Sequence, residues 1–270
     1  MTRGGGLRSG RVALAVGTIV VFVVVVALLA VRFESSSTAS TSDLDASSLP
    51  APARPAFLIP EPQGLGRARD APRWTTVTRA VPVRSSPASN AGVIASLARR
   101  TPERTTNVVL VERSAEDDVG RLWIAVRVPA LPTNVTGWVP RSALGAYSFV
   151  RTRLVVDLEQ LSATLLYDGR AIFSAEVGVG APSFPTPTGE FYIRSKLQSI
   201  SPFYGPLAFG TSARSPVLTD WPDGGFVGVH GTNRPELLPG RVSHGCIRMR
   251  NEDILELGRL MPVGTPVTIR

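Results

Sequence analysis

Residues 12–31 form a stretch of 20 residues without a charged side chain, and this stretch restricts how the whole chain can be arranged. A helix of that length rises about 30 Å, which matches the hydrocarbon core of a bilayer. Arg3, Arg8 and Arg11 precede it, so the positive-inside rule predicts a cytoplasmic tail at residues 1–11. We expect a transmembrane anchor at residues 12–31, with the rest of the chain on the extracytoplasmic side of the plasma membrane. The alternative is a cleaved signal peptide, whose apolar core is normally shorter.

Residues 32–73 have the composition of a flexible linker. The segment opens with a Ser/Thr run and continues with six prolines between Pro50 and Pro72. It lacks the periodic apolar residues that would offset the entropy cost of ordering it. We expect it to act as a tether between the membrane and the domains that follow.

Residues 74–147 carry the signals of a small β domain. Apolar and polar residues alternate over 77–83, and turn clusters separate further β-rich segments at 108–111, 122–128 and 137–139. The segments VPVRSSPASNAGVIASL and GWVPRSALG resemble bacterial SH3-like domains. That resemblance implies a small barrel that serves as a binding or spacing module.

Residues 148–270 also have a β pattern, with one helix. Strands are predicted at 153–159, 162–167, 171–179, 189–197 and 265–270. For the helix, we expect Asn251 to be the N-cap, Ile254 and Leu257 to share the apolar face, and Pro262 to end it. The predicted fold class is therefore mainly β.

The chain has only two histidines and one cysteine, and all three lie between His230 and Cys246. Exported cysteines are usually paired in disulfides, yet Cys246 has no partner in the chain. Such a cluster indicates a thiol nucleophile with its base, or a metal site. A free thiol is only slightly ionised at pH 7, so it needs an imidazole to accept its proton.

The two histidines are not equivalent as candidate bases. His244 lies two residues before Cys246 and is constrained, whereas His230 ends the strand-like FVGVH and can face the thiol from a neighbouring strand. Gly231 and Gly245 flank the cluster with minimal bulk, which lets a substrate approach. Backbone N–H groups of Gly245 and Cys246 are expected to form an oxyanion hole.

Two other functional classes fit the residues less well. Zinc accepts two histidines and a cysteine, but H-x-C is not a common zinc spacing and no carboxylate base accompanies it. The formal net charge of +8 raises the question of nucleic-acid binding. Such binding would need a basic stripe with stacking aromatics, and neither is visible in the sequence. We predict no nucleic-acid partner, no metal and no cofactor.

The motifs His230-Gly231-Thr232 and Ser243-His244-Gly245-Cys246-Ile247-Arg248 resemble the signature of the L,D-transpeptidase (YkuD-like) catalytic domain. The segments PTPTGEFYI, YGPLAF, NEDILEL and PVGTPVTI extend the resemblance over residues 149–270. It implies a β-sandwich with one C-terminal helix.

The resemblance also assigns roles to individual residues. It implies that Cys246 is the nucleophile, that His230 carries the proton, and that the Gly231 carbonyl orients the imidazole. Other residues are implied to support the pocket or bind substrate, with Arg248 holding a substrate carboxylate; these are Thr232, Ser243, His244, Gly245 and Arg248. Arg250 offers a second guanidinium for the same carboxylate.

The implied activity is cross-linking of peptidoglycan stem peptides. Cys246 would attack the third residue of a tetrapeptide stem, release the terminal D-alanine, and pass the acyl group to the side-chain amine of a second stem in a 3→3 link. Two alternatives remain open at this point. Water as acceptor would make the protein an L,D-carboxypeptidase, and a chain without catalysis would be a wall-binding protein.

Overall fold

The computed structural model describes residues 71–198, 201–217 and 225–270. The predicted cytoplasmic tail, the anchor at 12–31 and the linker up to residue 70 lie outside these residues. In the part of the chain that is described, no helix combines the length and apolarity needed to cross a membrane.

The first domain is a seven-stranded antiparallel sheet. Its strands occur in the order β3-β2-β6-β5-β4-β1-β7. They are β1 (Arg73–Val77), β2 (Val81–Arg84), β3 (Val93–Leu97), β4 (Val108–Glu116), β5 (Leu122–Arg127), β6 (Thr136–Pro140) and β7 (Leu144–Phe149). Its core is built largely from valines, among them Val83, Val109 and Val139, which are fully buried.

In the second domain, the described residues form a ten-stranded sheet with one α-helix. Its strands occur in the order β10-β9-β8-β17-β12-β13-β14-β16-β11-β15. They are β8 (Thr152–Asp157), β9 (Ser162–Tyr167), β10 (Arg170–Glu176), β11 (Gly178–Gly180), β12 (Gly189–Gln198), β13 (Leu207–Arg214), β14 (Phe226–His230), β15 (Gly240–Ser243), β16 (Ile247–Arg248) and β17 (Pro266–Ile269). The prediction of a mainly β chain with a helix near its C-terminus is confirmed for the described residues.

Strand β12 joins the two halves of this sheet. Its first residues, 189–192, pair with β17, whereas 193–198 pair with β13 on the other half. One core lies between the halves, and it contains Leu154 and Phe191 from the first and Phe209 and Ile247 from the second. Period-two alternation explains this core, because every second side chain of a strand points to the same face.

Helix α1 (Asn251–Leu260) follows β16 directly. It buries Ile254 and Leu257 completely, as the sequence pattern predicts. The expectation that Asn251 is its N-cap is wrong, because Arg250 is the capping residue and no side chain caps the helix. Asn251 is instead the first helical residue, and its amide oxygen accepts a hydrogen bond from the Thr232 N–H.

Strand boundaries differ from the sequence pattern in two regions. The alternating segment 77–83 is divided between β1 and β2, because the Thr78 N–H leaves the ladder and donates to the Ala143 carbonyl. Segment 171–179 is likewise divided between β10 and β11. At the domain boundaries, β1 begins at Arg73, within the predicted linker, and β7 extends to Phe149.

The two domains share an apolar contact and a buried ion pair. Tyr192 of β12 packs with Val108 and Leu110 of β4, and its hydroxyl donates to the Val108 carbonyl at 3.2 Å. Arg194, only 2% exposed, donates to Glu103 of the first domain at 3.1 Å. The Arg194 Nε and Nη1 atoms have no hydrogen-bond partner among the described residues. Glu103 is therefore the carboxylate that compensates this buried charge.

Removing the Glu103 carboxylate should destabilise the folded chain, because it leaves the buried Arg194 guanidinium uncompensated. We expect Glu103→Ala to lower the free energy of unfolding by about 3 kcal/mol in urea denaturation. The matched control is Glu236→Ala, since Glu236 pairs with Arg234 where both side chains are at least 60% exposed. That control should cost less than about 0.5 kcal/mol. Equal losses in the two variants would contradict the stabilising role of the Arg194–Glu103 pair.

Candidate active site

The parallel pairing of β14 with β16 brings the histidine and cysteine motifs together. Val229 lies opposite Ile247, and His230 lies opposite Arg248. One residue earlier, the Gly228 N–H donates to the Cys246 Sγ at 3.4 Å. This strand pairing therefore brings together His230 and Cys246, which are 16 positions apart in the sequence.

The alternation of side chains separates the pocket face from the core face. Val229 and Ile247 are completely buried in the core. His230, Cys246 and Arg248 point to the opposite face and line a pocket. Each strand thus contributes its site residues and its core residues in alternation.

Gly228 leaves open the space between imidazole and thiol. A methyl group at Gly228 would lie 3.8 Å from His230 Cδ2 and 3.9 Å from Cys246 Sγ. The edge of the imidazole and the thiol therefore both lie within van der Waals distance of this position. Gly228 is not among the residues predicted from the sequence, although its place two residues before His230 on a strand is a usable signal.

His230 is held as a neutral base. Its Nδ1 lies 2.6 Å from the Gly231 carbonyl oxygen, a distance that fits Nδ1–H donating to that oxygen. The residue is 2% exposed, and this burial lowers the pKa of His230 to about 4; the Gly231 hydrogen bond opposes the shift and the Arg248 charge adds to it. With the proton on Nδ1, the Nε2 lone pair is free to accept another.

Cys246 is held as a neutral thiol. Burial raises its pKa above the usual value, while the Gly228 N–H and the charge of Arg248 oppose the shift. The thiolate is therefore scarce at neutral pH, and a neighbouring base is needed to form it.

An aromatic wall covers the histidine. The Tyr204 ring packs edge-on against the imidazole with centroids 4.8 Å apart, and Phe203 lies beside them. Burial raises the pKa of Tyr204 to about 12, so its phenol keeps its proton. Both rings come from the segment between β12 and β13, and only long-range folding brings them to the site.

Arg248 is the cationic side chain among the described residues that line the pocket. It is 8% exposed, and its guanidinium lies 4.9 Å from the centre of the Phe203 ring. Its Nε has no hydrogen-bond partner among the described residues. Burial lowers the pKa of Arg248, but a guanidinium keeps its charge at neutral pH. Arg250, the alternative cation, pairs with Glu176 at 3.0 Å.

Ser243 and Gly245 shape the turn before the cysteine. The Ser243 hydroxyl donates to the Cys246 carbonyl at 2.5 Å and accepts from the Gly245 N–H at 3.0 Å. Gly245 has φ +111°, a backbone conformation that a side chain would strain. Because the Gly245 N–H donates to Ser243 here, its expected place in an oxyanion hole stays a prediction.

Thr186 supports the same turn and was missed by the sequence analysis. Its hydroxyl accepts from the Gly180 N–H and donates to the Gly245 carbonyl, both at 2.9 Å. Thr186 is 5% exposed, so water has little access to either hydrogen bond. The PTPTGEFYI segment contains it, but its contact with residue 245 depends on tertiary structure.

The two remaining candidates occupy different places. His244 lines the pocket but is exposed, and its ring lies 4.7 Å from that of Phe184. Thr232 is 2% exposed, and its hydroxyl accepts from the Arg234 N–H at 3.1 Å. Within residues 71–198, 201–217 and 225–270, no three His, Cys, Asp or Glu side chains are grouped as metal ligands.

Comparison with known proteins identifies the second domain. A family model of the L,D-transpeptidase catalytic domain matches residues 151–269. The putative L,D-transpeptidase YkuD of Bacillus subtilis is 34% identical over 116 residues, which cover 43% of this chain and 64% of that protein. The putative L,D-transpeptidase YqjB of the same species is 32% identical over 124 residues, covering 43% of this chain and 69% of that protein.

A solved structure adds a further similarity. The NMR structure of the catalytic domain of the Enterococcus faecium L,D-transpeptidase is 29% identical, with a TM-score of 0.35, and the match covers 44% of this chain and 96% of that one. The chain spans less than two thirds of the length of YkuD and more than two thirds of YqjB. Because YqjB is 32% identical and is matched over 69% of its length, and the family model matches residues 151–269, the chain belongs to the L,D-transpeptidase family.

Proposed function

We propose that the protein is a peptidoglycan L,D-transpeptidase that forms 3→3 cross-links through a cysteine acyl-enzyme. The observation that carries the proposal is that strand pairing brings His230 and Cys246 into one pocket, where His230 Cδ2 and Cys246 Sγ both lie within 4 Å of the position that a Gly228 side chain would occupy. A nucleophile and a base that converge on one point in a pocket can attack a bound carbonyl group.

In the first half-reaction, His230 Nε2 accepts the thiol proton as Cys246 Sγ bonds to the carbonyl carbon of the third stem residue. The tetrahedral adduct then collapses, and the bond from that carbon to the D-alanine nitrogen breaks. His230 returns its proton to the leaving amine, so a thioester and free D-alanine result. Because both groups are neutral at rest, the proton transfer accompanies the attack.

In the second half-reaction, an amine of a neighbouring stem attacks the thioester. A new amide bond forms, the carbon–sulfur bond breaks, and the amine proton passes through His230 to the sulfur. Water in place of the amine would give the carboxypeptidase reaction with the same residues. The acceptor is thus the only difference between the two activities.

Arg248 is the proposed carboxylate-binding residue. A guanidinium is well shaped to hold a carboxylate by two hydrogen bonds. The absence of a described protein partner for its Nε, at a side chain that lines the pocket, supports this role. Its charge also favours the thiolate of Cys246 and the neutral form of His230.

The remaining parts of the chain are proposed to bring this domain to its substrate. Residues 12–31 would anchor the protein in the plasma membrane, with the linker holding the enzyme toward the cell wall. The SH3-like resemblance of residues 74–147 supports a role for the first domain in binding or spacing. Extraction of the full chain from membranes with carbonate tests the anchor, since a cleaved protein would be released.

Substitution of the nucleophile tests the proposed chemistry. Incubation of the purified protein with tetrapeptide muropeptides should yield 3→3 dimers and free D-alanine by mass spectrometry. Cys246→Ser should reduce turnover by about a thousandfold or more while leaving the fold intact, because a hydroxyl is far harder to ionise than a thiol.

The controls separate the alternatives. Tripeptide and D-alanine without dimers would indicate a carboxypeptidase, and intact muropeptides bound but unchanged would indicate a wall-binding protein. A chelator should leave the products unchanged; loss of activity that zinc restores would revive the metal hypothesis. Wild-type turnover by Cys246→Ser would remove the nucleophile assignment.

Alkylation of Cys246 by iodoacetamide tests which histidine is the base. His230→Ala should slow alkylation at pH 7, because the thiol loses its proton acceptor, and the deficit should shrink as rising pH forms thiolate directly. His244→Ala, at the exposed rim, should change the rate less than about twofold, well within the effect of an ordinary surface substitution. The reverse pattern would mean that the two histidines are assigned the wrong way round.

The pH dependence of Cys246 alkylation in the wild-type protein gives a further prediction. Since His230 has a pKa of about 4, it is already in its base form throughout the neutral range. The alkylation rate should therefore show no step near pH 6.5, the ordinary pKa of histidine. A clear step there would contradict the neutral resting state of the pair.

A further inference from the structure

The peptide group that joins Gly231 to Thr232 is held at both ends. Its carbonyl oxygen lies 2.6 Å from His230 Nδ1, and its N–H donates to the Asn251 Oδ1 at 3.0 Å. We infer that Asn251 is a positioning residue that sets the tautomer of His230 through this peptide group. The inference rests on the proposed function of His230 as base, but it concerns a residue outside the pocket.

Peptide geometry makes the two hydrogen bonds a single constraint. The carbonyl and N–H of a trans peptide are coplanar and point in opposite directions. An acceptor that fixes the N–H therefore also fixes where the carbonyl oxygen points. Hydrogen bonds in a chain also polarise one another, so the Asn251 contact makes the Gly231 oxygen a better acceptor for the imidazole.

Close packing keeps the Asn251 amide in place. A methyl group at Gly231 or at Gly205 would collide with Asn251 Oδ1, so both glycines are needed for the contact. Gly205 also has φ +66°, which glycine adopts readily. The helix that carries Asn251 is fixed in turn by the fully buried Ile254 and Leu257.

Helix capping does not account for this amide. Asn251 is the first helical residue, and its Oδ1 accepts from the N–H of Thr232, which lies 19 residues before it in the chain. Thr232 is 2% exposed, and a buried backbone N–H needs an acceptor. The contact thus satisfies the buried Thr232 N–H in the turn that follows His230.

Loss of the Asn251 oxygen would allow this peptide to rotate. The Gly231 oxygen would then turn away from Nδ1, and the imidazole would be free to carry its proton on Nε2 instead. A proton on Nε2 occupies the position that must receive the thiol proton, so that tautomer cannot act as the base. Loss of the Asn251 oxygen should therefore change which imidazole nitrogen carries the proton and leave the position of Cys246 unchanged.

The tautomer can be measured directly, because the chain contains only two histidines. Long-range ¹H–¹⁵N NMR of the full-length protein in detergent, with ¹⁵N-labelled histidine, distinguishes the Nδ1–H and Nε2–H forms at pH 7. We expect only Nδ1–H for His230 in the wild type and a mixture of both forms in Asn251→Ala. Alkylation of Cys246 by iodoacetamide at pH 7 should fall about tenfold, the factor expected for one net hydrogen bond.

Three further variants complete the test. Asn251→Asp keeps the acceptor oxygen and should retain the Nδ1–H form, whereas Asn251→Ser is too short to reach Thr232 and should lose it. Glu252→Ala, one residue along the same exposed helix start, should leave both readouts unchanged. Should Asn251→Ala fail to fold, Asn251→Ser must give the same tautomer mixture.

The outcome is independent of the substrate. Both readouts can be taken without peptidoglycan, so they hold even if muropeptides are not turned over, and failure of the proposed function would show only in the muropeptide experiment. A pure Nδ1–H signal in both Asn251→Ala and Asn251→Ser, with alkylation within twofold of the wild type, would overturn the inference. A mixture in Glu252→Ala as well would reduce the effect to general helix stability and would equally overturn it.

Discussion

Strands β14 and β16 run parallel and in register, and this pairing brings the His230 imidazole and the Cys246 thiol to one face of the sheet. The core depends on the same register, since Val229 and Ile247 point the other way and are fully buried. A slip of one residue would turn the thiol into the core and an apolar side chain into the pocket. Core packing therefore enforces the strand register on which the geometry of the site depends.

Burial of this pair determines its electrostatics. Loss of hydration, nearly complete at His230 and partial at Cys246, raises the pKa of the thiol and lowers that of the imidazole, because each charged form loses solvation. Both groups rest neutral, and the position of one proton on the imidazole becomes decisive. The backbone turn after His230 then matters as much as the side chains, since its Gly231 carbonyl holds that proton away from the thiol.

The first domain contributes to the second through strand β12. Tyr192 and Arg194 project from β12 to Val108 and Glu103 of the first domain. The Arg194 guanidinium also lies 3.7 Å from the centre of the Phe226 ring, and Phe226 lines the pocket that contains His230 and Cys246. A series of contacts thus links the first domain to the pocket wall. These contacts indicate that the first domain stabilises the second.

The sequence by itself determined the mainly β fold class, most strand positions, the helix and the two motifs that meet in the pocket, those of His230 and Cys246. Period-two alternation is local, and two histidines and a cysteine between glycines form a pattern that is visible without coordinates. Contacts between distant segments were decided only by the tertiary structure. The Thr186 hydroxyl donates to the Gly245 carbonyl, and the Asn251 side chain accepts from the Thr232 N–H. The Ser243 hydroxyl accepts from the Gly245 N–H, which was expected to bind an oxyanion. Each of these is a hydrogen bond whose partner is chosen by where buried donors and acceptors meet in space, and residue type alone does not contain that information.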